Sequence, residues 1–420
     1  MVRVDVQPLY DKLCPEWNLP DAAEKPATRL GVRSLVPEAV YAPGEPITFL
    51  VAMIENNQYR SGVGLKCRMI RDYHEPVEFP LVTRDTPVEV STELERPGFV
   101  RLEVTLGELS AAAGAGVEPE KIAAVPDITG FDSFWRAHRR WLNMVQPRVL
   151  KREVIPAVLP EYGERVRCFD VQVACAGAKP VSGILSMPRG AKPKSCPAYV
   201  FFHGAGVRPA FQPLTWAARG LLAFNVNAHG LYNDLSEADY RALAEGPLKD
   251  YAKQPVYSAE DSVFRDMILR VQRALEFMKS LPEWDGRFLI VHGGSQGALQ
   301  ALAAAALDRD VSFVVANAPA MCDQAGELAG RMSPWPHAIS QAGMERVAPF
   351  FDGAAFARRI TAPIRFTVGF SDTESTPSSV YAAFNACGSC DKEILNFPDC
   401  GHAGAVFWTA EAEIMEHLGR

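Results

Sequence analysis

The sequence predicts an α/β protein: a mostly parallel sheet wrapped by helices, preceded by a small N-terminal immunoglobulin-like β-sandwich. Three observations carry this expectation. Short strand-like runs broken by turn signals fill residues 29–107. Beyond about residue 125, apolar strands alternate with helical stretches, which is the pattern of a largely parallel sheet. A glycine-flanked serine also stands between an apolar run and an alanine-rich stretch, and so reads as strand, sharp turn, helix. The expected division is a sandwich over residues 1–125 and an α/β unit over residues 126–420.

In chain order, the sandwich strands are expected at residues 29–35, 46–54, 64–71, 87–94 and 98–106, with turns at Tyr41-Ala42-Pro43-Gly44-Glu45 and Arg96-Pro97-Gly98. The spacing is that of a sandwich, without a Cys-Trp-Cys core signature. Its expected role is that of a packing partner, with glycan binding or closure over a site as alternatives. Residues 111–117, rich in Ala and Gly, read as a connection toward Pro126. Residues 131–144 place Phe134, Trp135, Trp141 and Leu142 at helical spacing. An antiparallel pair (166–173, 182–187) opens the second unit, followed by strands at 198–203, 221–227, 288–292, 313–317, 364–369 and 393–397. The clearest helix covers 261–281, with Phe264, Met267, Ile268, Val271, Leu275 and Met278 on one stripe.

A chain of 420 residues with 48% hydrophobic content can bury a sizeable core, and its length suggests two or three domains. Forty-three Lys plus Arg against 50 Asp plus Glu leave a net charge of −7 and no basic stripe for nucleic acid, so a small neutral or polar ligand fits better. The absence of an eighteen-residue apolar run speaks against a membrane partner. The start, Met1-Val2-Arg3-Val4-Asp5, lacks signal-peptide character, so a cytoplasmic location is expected unless a leader was removed. Nine scattered cysteines read as buried small hydrophobes rather than a disulfide framework. Cys387-Gly388-Ser389-Cys390 has no second Cys or His pair, and neither metal nor cofactor is expected.

The chemistry centres on Gly293-Gly294-Ser295-Gln296-Gly297, where a sharp turn pushes the serine hydroxyl out above the sheet. Serine needs a base, and the base needs an orienting acid. His402, in Asp399-Cys400-Gly401-His402-Ala403-Gly404, lies on a loop past the run 394–397, whereas His138 and His417 fall in helices and read as structural. Asp372 follows the strand 364–369 directly, in Gly369-Phe370-Ser371-Asp372. Its rivals are Glu374, farther from the strand end, and Asp399, only three residues from the histidine. Ser295, Asp372, His402 is the α/β-hydrolase order. Backbone N–H groups of Gln296 and Ala205 are the expected oxyanion donors, the latter in His203-Gly204-Ala205-Gly206, where Gly204 lets the backbone approach the substrate. His203 and His229 read as loop-shaping residues. Trp216, Trp335 and Pro336 are expected to narrow the acyl pocket.

With these residues in view, the chain resembles the acetyl xylan esterases and cephalosporin C deacetylases of carbohydrate esterase family seven, over roughly residues 130–420. The resemblance rests on Phe131-Asp132-Ser133-Phe134-Trp135, the serine pentapeptide, Phe350-Phe351-Asp352-Gly353, Val368-Gly369-Phe370-Ser371-Asp372 and the stretch Pro377 to Asn385. It implies an α/β-hydrolase that deacetylates small acetylated sugars and xylo-oligosaccharides without a cofactor, with Ser295, Asp372 and His402 as its triad and Gln296 as one oxyanion donor. This chain departs from the pattern in three places: Ala228-His229-Gly230 stands for the usual Arg-Gly-Gln, Ala205 for a Tyr, and Ala403 for a Glu. These changes bear on pocket shape, and the added sandwich leaves the oligomeric state open beside the family's ring-like hexamer. The competing readings are a broader acyl esterase or peptidase on the same fold, and a catalytically idle fold that binds glycan.

Overall fold

The computed structural model describes residues 28–254 and 256–420; the expectations for the start of the chain lie outside the described residues. Nine strands come first: β1 (Thr28–Ser34), β2 (Val40–Tyr41), β3 (Ile47–Glu55), β4 (Gln58–Tyr59), β5 (Gly64–Arg71), β6 (Val77–Val82), β7 (Val88–Thr92), β8 (Gly98–Leu106) and β9 (Leu109–Val117). They make two sheets, one with β1, β4 and β7 paired to β3, the other in the order β2-β9-β8-β5-β6. Ile47, Phe49, Val51 and Met53 alternate into the core from one sheet, and Leu102, Val104, Ala113 and Ala115 from the other.

Four of these strands, β2, β4, β6 and β9, were not among those expected from the sequence; β2 and β4 are two residues each, and the other two have a physical reason. Residues 111–117 are a strand rather than a connection: β9 lies between β2 and β8, and its small residues answer a tight contact. A Cβ on Gly114 would lie 1.9 Å from the Phe370 carbonyl oxygen, so only glycine fits at that position of the strand. β6 contains Pro80, which argues against a central strand, and the structure places it at a sheet edge where only β5 is its partner.

The second unit has nine strands: β10 (Val149–Ile155), β11 (Val166–Val173), β12 (Val181–Pro188), β13 (Cys196–Phe202), β14 (Leu222–Val226), β15 (Trp284–Gly294), β16 (Phe313–Asn317), β17 (Ile364–Gly369) and β18 (Lys392–Phe397). Their order is β10-β11-β12-β14-β13-β15-β16-β17-β18. Pairing is antiparallel up to β14 and parallel from there on. The edge strand β10 was not expected, because it is mostly exposed and lacks the alternation that burial imposes. β13 has β14 on one side and β15 on the other, so the chain reverses direction across the sheet there. The carboxyl ends of β13 and β15 flank the crevice where open α/β sheets bind ligands.

The helix Val263–Ser280 starts at Ser262, whose Oγ accepts from the Phe264 N–H, and it buries the predicted stripe. Arg270 on its inner face donates to the Ala228 carbonyl, fixing the loop after β14. Among the described residues no helix is long and apolar enough to cross a membrane. The apolar interior continues from Phe49 and Phe99 of the N-terminal sheets to Phe351, Phe366 and Phe370 of the α/β unit as one cluster. Cys67, Cys168, Cys196, Cys322 and Cys387 are buried free thiols, whereas Cys400 is disulfide-bonded, which the scattered cysteines did not suggest.

Candidate active site

Ser295 closes β15 and caps the helix Gln296–Leu307, with φ 58° and ψ −124°. A non-glycine residue reaches that region only when its surroundings force it. They do so through close packing: a Cβ on Gly293 would lie 2.1 Å from the Gly297 carbonyl oxygen, and one on Gly297 would lie 2.0 Å from that of Phe202. Both glycines are therefore spatial requirements of strand meeting helix. The Ser295 N–H donates to the Asn317 carbonyl at 2.9 Å, tying the turn to β16.

His402 opens the helix His402–Val406 beyond β18, and its Nε2 lies 3.0 Å from Ser295 Oγ. Its Nδ1 lies 2.7 Å from Asp372 Oδ2. With Nδ1–H donating to the carboxylate, Nε2 is left as the acceptor for the serine hydroxyl, which is the tautomer that general-base work needs. Asp372 is fully buried, and its other oxygen accepts from the Glu374 and Ser375 N–H groups at 2.8 and 2.9 Å. Burial alone would lower the His402 pKa; the hydrogen bond and charge of Asp372, joined by Glu374, outweigh it and raise the imidazole above its ordinary 6.5.

The loop after β13 runs past the serine: a Cβ on Gly204 would lie 3.3 Å from the Gly294 carbonyl oxygen and 3.4 Å from Ser295 Cβ. Ala205, next along that loop, is exposed. Gln296 is the first residue of its helix, where an N–H has no acceptor one turn back. His203 is buried between two backbone groups: Nδ1 faces the Gly204 carbonyl at 2.7 Å, and Nε2 accepts from the Ala228 N–H at 3.2 Å. Burial, then Arg208, hold its pKa down to about 4, so it is a neutral loop-shaping group. His229 is also buried, and burial followed by Arg270 lowers it to about 3. Its ring stands edge-on to Tyr251, 4.5 Å between centroids.

Tyr251 is a residue that sequence reasoning missed. Its hydroxyl donates to Gln296 Oε1, so a distant loop grips the side chain of the residue that follows the serine. Burial pushes its pKa up to about 12, keeping the hydroxyl protonated and able to donate. No motif marks such a contact, because it joins segments 45 residues apart.

The aromatic candidates separate. Trp335 donates its backbone N–H to the Glu374 carbonyl at 2.7 Å and stands edge-on to Phe264, with Pro336 buried behind it. It therefore adjoins the Asp372 loop. Trp216 instead stacks on Tyr199, 4.7 Å between centroids, in a second apolar cluster with Leu221, Phe313 and Trp408. That packing accounts for its bulk. Among the described residues no group of three or more His, Cys, Asp or Glu side chains is arranged to hold a metal.

Comparison with known proteins places this geometry in context. The acetyl xylan esterase (AXE1) family profile matches residues 121–330 and 335–418. The acetyl esterase Axe7A of Xylanibacter ruminicola is 27% identical over 318 residues, which cover 73% of this chain and 71% of that protein. Two solved structures share the fold. The acetyl xylan esterase from Paenibacillus sp. R4 superposes with a TM-score of 0.60 at 23% identity, over 72% of this chain and 98% of that one. Acetyl xylan esterase 1 from Thermoanaerobacterium sp. JW/SL YS485 gives 0.55 at 21% identity, over 72% and 96%.

Proposed function

The chain belongs to the acetyl xylan esterase family, and from that premise we propose that it is a serine esterase removing acetyl groups from acetylated carbohydrates such as xylo-oligosaccharides. The observation that carries the reading is the hydrogen-bonded line from Ser295 Oγ through His402 to buried Asp372 on a glycine-walled turn. In the proposed reaction Ser295 Oγ attacks the ester carbonyl while His402 Nε2 takes its proton. The Gln296 and Ala205 N–H groups receive the developing oxyanion. The imidazolium then gives its proton to the departing sugar oxygen, leaving acetyl-serine and a free hydroxyl. Water, deprotonated by the same nitrogen, releases acetate and restores the serine. Trp335 and Pro336 border the acyl side in this reading, while Trp216 serves the core.

We also read the N-terminal unit as an immunoglobulin-like sandwich ending near residue 125, a reading supported by its two stacked antiparallel-rich sheets and by the family match beginning at residue 121. Release of p-nitrophenol from p-nitrophenyl acetate by the wild-type protein, lost in Ser295→Ala, tests the esterase proposal. A wild-type protein with no turnover on this ester or on acetylated oligosaccharides would leave the idle glycan-binding fold.

A further inference from the structure

The sandwich touches the α/β unit at one place that matters for chemistry. Asp72, the residue just past β5, is fully buried, and its carboxylate accepts from three directions: the Phe99 N–H at 2.8 Å, the Met332 N–H at 2.8 Å and the Ser378 hydroxyl. The first bond lies within the sandwich; the other two cross to the α/β unit. Arg101 on β8 reaches the backbone carbonyl of Asp372 itself, 3.4 Å from Nη1, and the Met332 sulfur. Phe99 stands edge-on to Phe370, with ring centroids 5.0 Å apart, and Gly114 leaves room for the Phe370 carbonyl. Met332 and Trp335 share a loop, and that loop is held from the other side by the Thr376 hydroxyl on the Met332 carbonyl.

We propose that Asp72 and Arg101 of the sandwich are positioning residues, fixing residues 370–376 so that Asp372 meets His402, and fixing the Trp335 loop so that the acyl pocket stays small. The inference rests on the serine-esterase reading for its kinetic consequences and on geometry alone for the placement of Asp372. A buried carboxylate with three donors has one orientation, because any displacement strands a donor or the charge itself. Two loops of the site therefore take their position from a sheet that carries none of the proposed triad. Small displacements suffice to matter, since about 1 Å of misplacement can cost roughly a hundredfold in rate.

The test uses the full chain with Arg101→Met, Asp72→Asn and the milder Ser378→Ala, which deletes only a hydroxyl donating to Asp72. Lys66→Met, at an exposed position on β5, is the control. Far-UV circular dichroism establishes which variants fold, and Ser378→Ala, which deletes a single hydroxyl, carries the test should the other two unfold. Expected are a fall in kcat of roughly tenfold or more, a smaller preference for p-nitrophenyl acetate over the butyrate, and an NMR titration of His402 moved down from its wild-type midpoint as Asp372 withdraws. Folded variants with wild-type kcat, acyl preference and His402 midpoint would overturn the proposal. The NMR titration does not depend on turnover, so an inactive wild-type protein would count against the esterase reading while the His402 midpoint still decides the positioning of Asp372.

Discussion

Ser295 is held in a backbone conformation that costs a non-glycine residue about 1–3 kcal/mol, and the reward is a hydroxyl aimed at His402 Nε2. Ser295→Ala should keep the fold, since it creates almost no cavity, and should cut kcat on p-nitrophenyl acetate by on the order of 10⁶. Substantial turnover in a pure preparation would mean another nucleophile. The pH dependence follows from the opposing influences on His402. The neutral imidazole is the active base, so the rate should climb with pH through a midpoint above 6.5, the ordinary histidine value that Asp372 and Glu374 raise against burial. The same raised pKa makes the His402–Asp372 pair contribute to stability fully below the unfolded value, and this contribution fades as pH rises through the folded one. Asp372→Asn removes the largest upward influence and leaves burial opposed by Glu374 alone, so the midpoint should drop while the rate falls by on the order of 10⁴. A midpoint that stays put in this variant, or a comparable loss in Glu374→Gln instead, would move the acid elsewhere.

At the scale of elements, the serine turn is where sequence and structure agree most closely. Gly293 and Gly297 are visible in the sequence because glycine is the one residue whose absence of side chain is itself the signal. The clash distances show that each is required by a neighbouring backbone. Gly297→Ala should force β13 and the helix Gln296–Leu307 apart, costing about 1–3 kcal/mol and lowering the melting temperature; an unchanged melting curve would contradict the packing described here. β11, β16 and β17 were legible to the residue because buried strands read as apolar runs with clear ends. β9 was not, since its glycines answer close neighbours, Phe370 at Gly114 and Phe99 and Pro119 at Gly116, and Phe370 lies outside any local window. β10 failed for the opposite reason, as an exposed edge imposes little pattern. Tyr251 was hidden because loop-to-loop contacts leave no periodicity. Tyr251→Phe would strand Gln296 Oε1, a buried acceptor worth about 1–3 kcal/mol when unpaired. The measurable result should be a lower kcat with KM for p-nitrophenyl acetate nearly unchanged, and equal kinetics in the two proteins would remove Tyr251 from the account.

For the molecule as a whole, the proposed acyl pocket would have its size set where two units meet, because the loop bearing Trp335 is held by Asp72 on one side and by residues 374–376 on the other. Along p-nitrophenyl acetate, butyrate and octanoate, kcat/KM should fall steeply, and flat or rising values would favour the broader acyl esterase. The continuous apolar cluster joining sandwich and hydrolase carries one more consequence, for how the protein comes apart. Because the two halves share this core and the buried polar contacts of Asp72 and Arg101 across it, neither half has a private melting point, and calorimetry should show one endotherm whose van't Hoff and calorimetric enthalpies coincide. The N-terminal sheets are thus unsuited to be exchanged as a cassette: a graft onto another esterase would bring Phe99, fully buried here, and the Gly114 face into water, and the esterase left behind would lose the cover over Phe370.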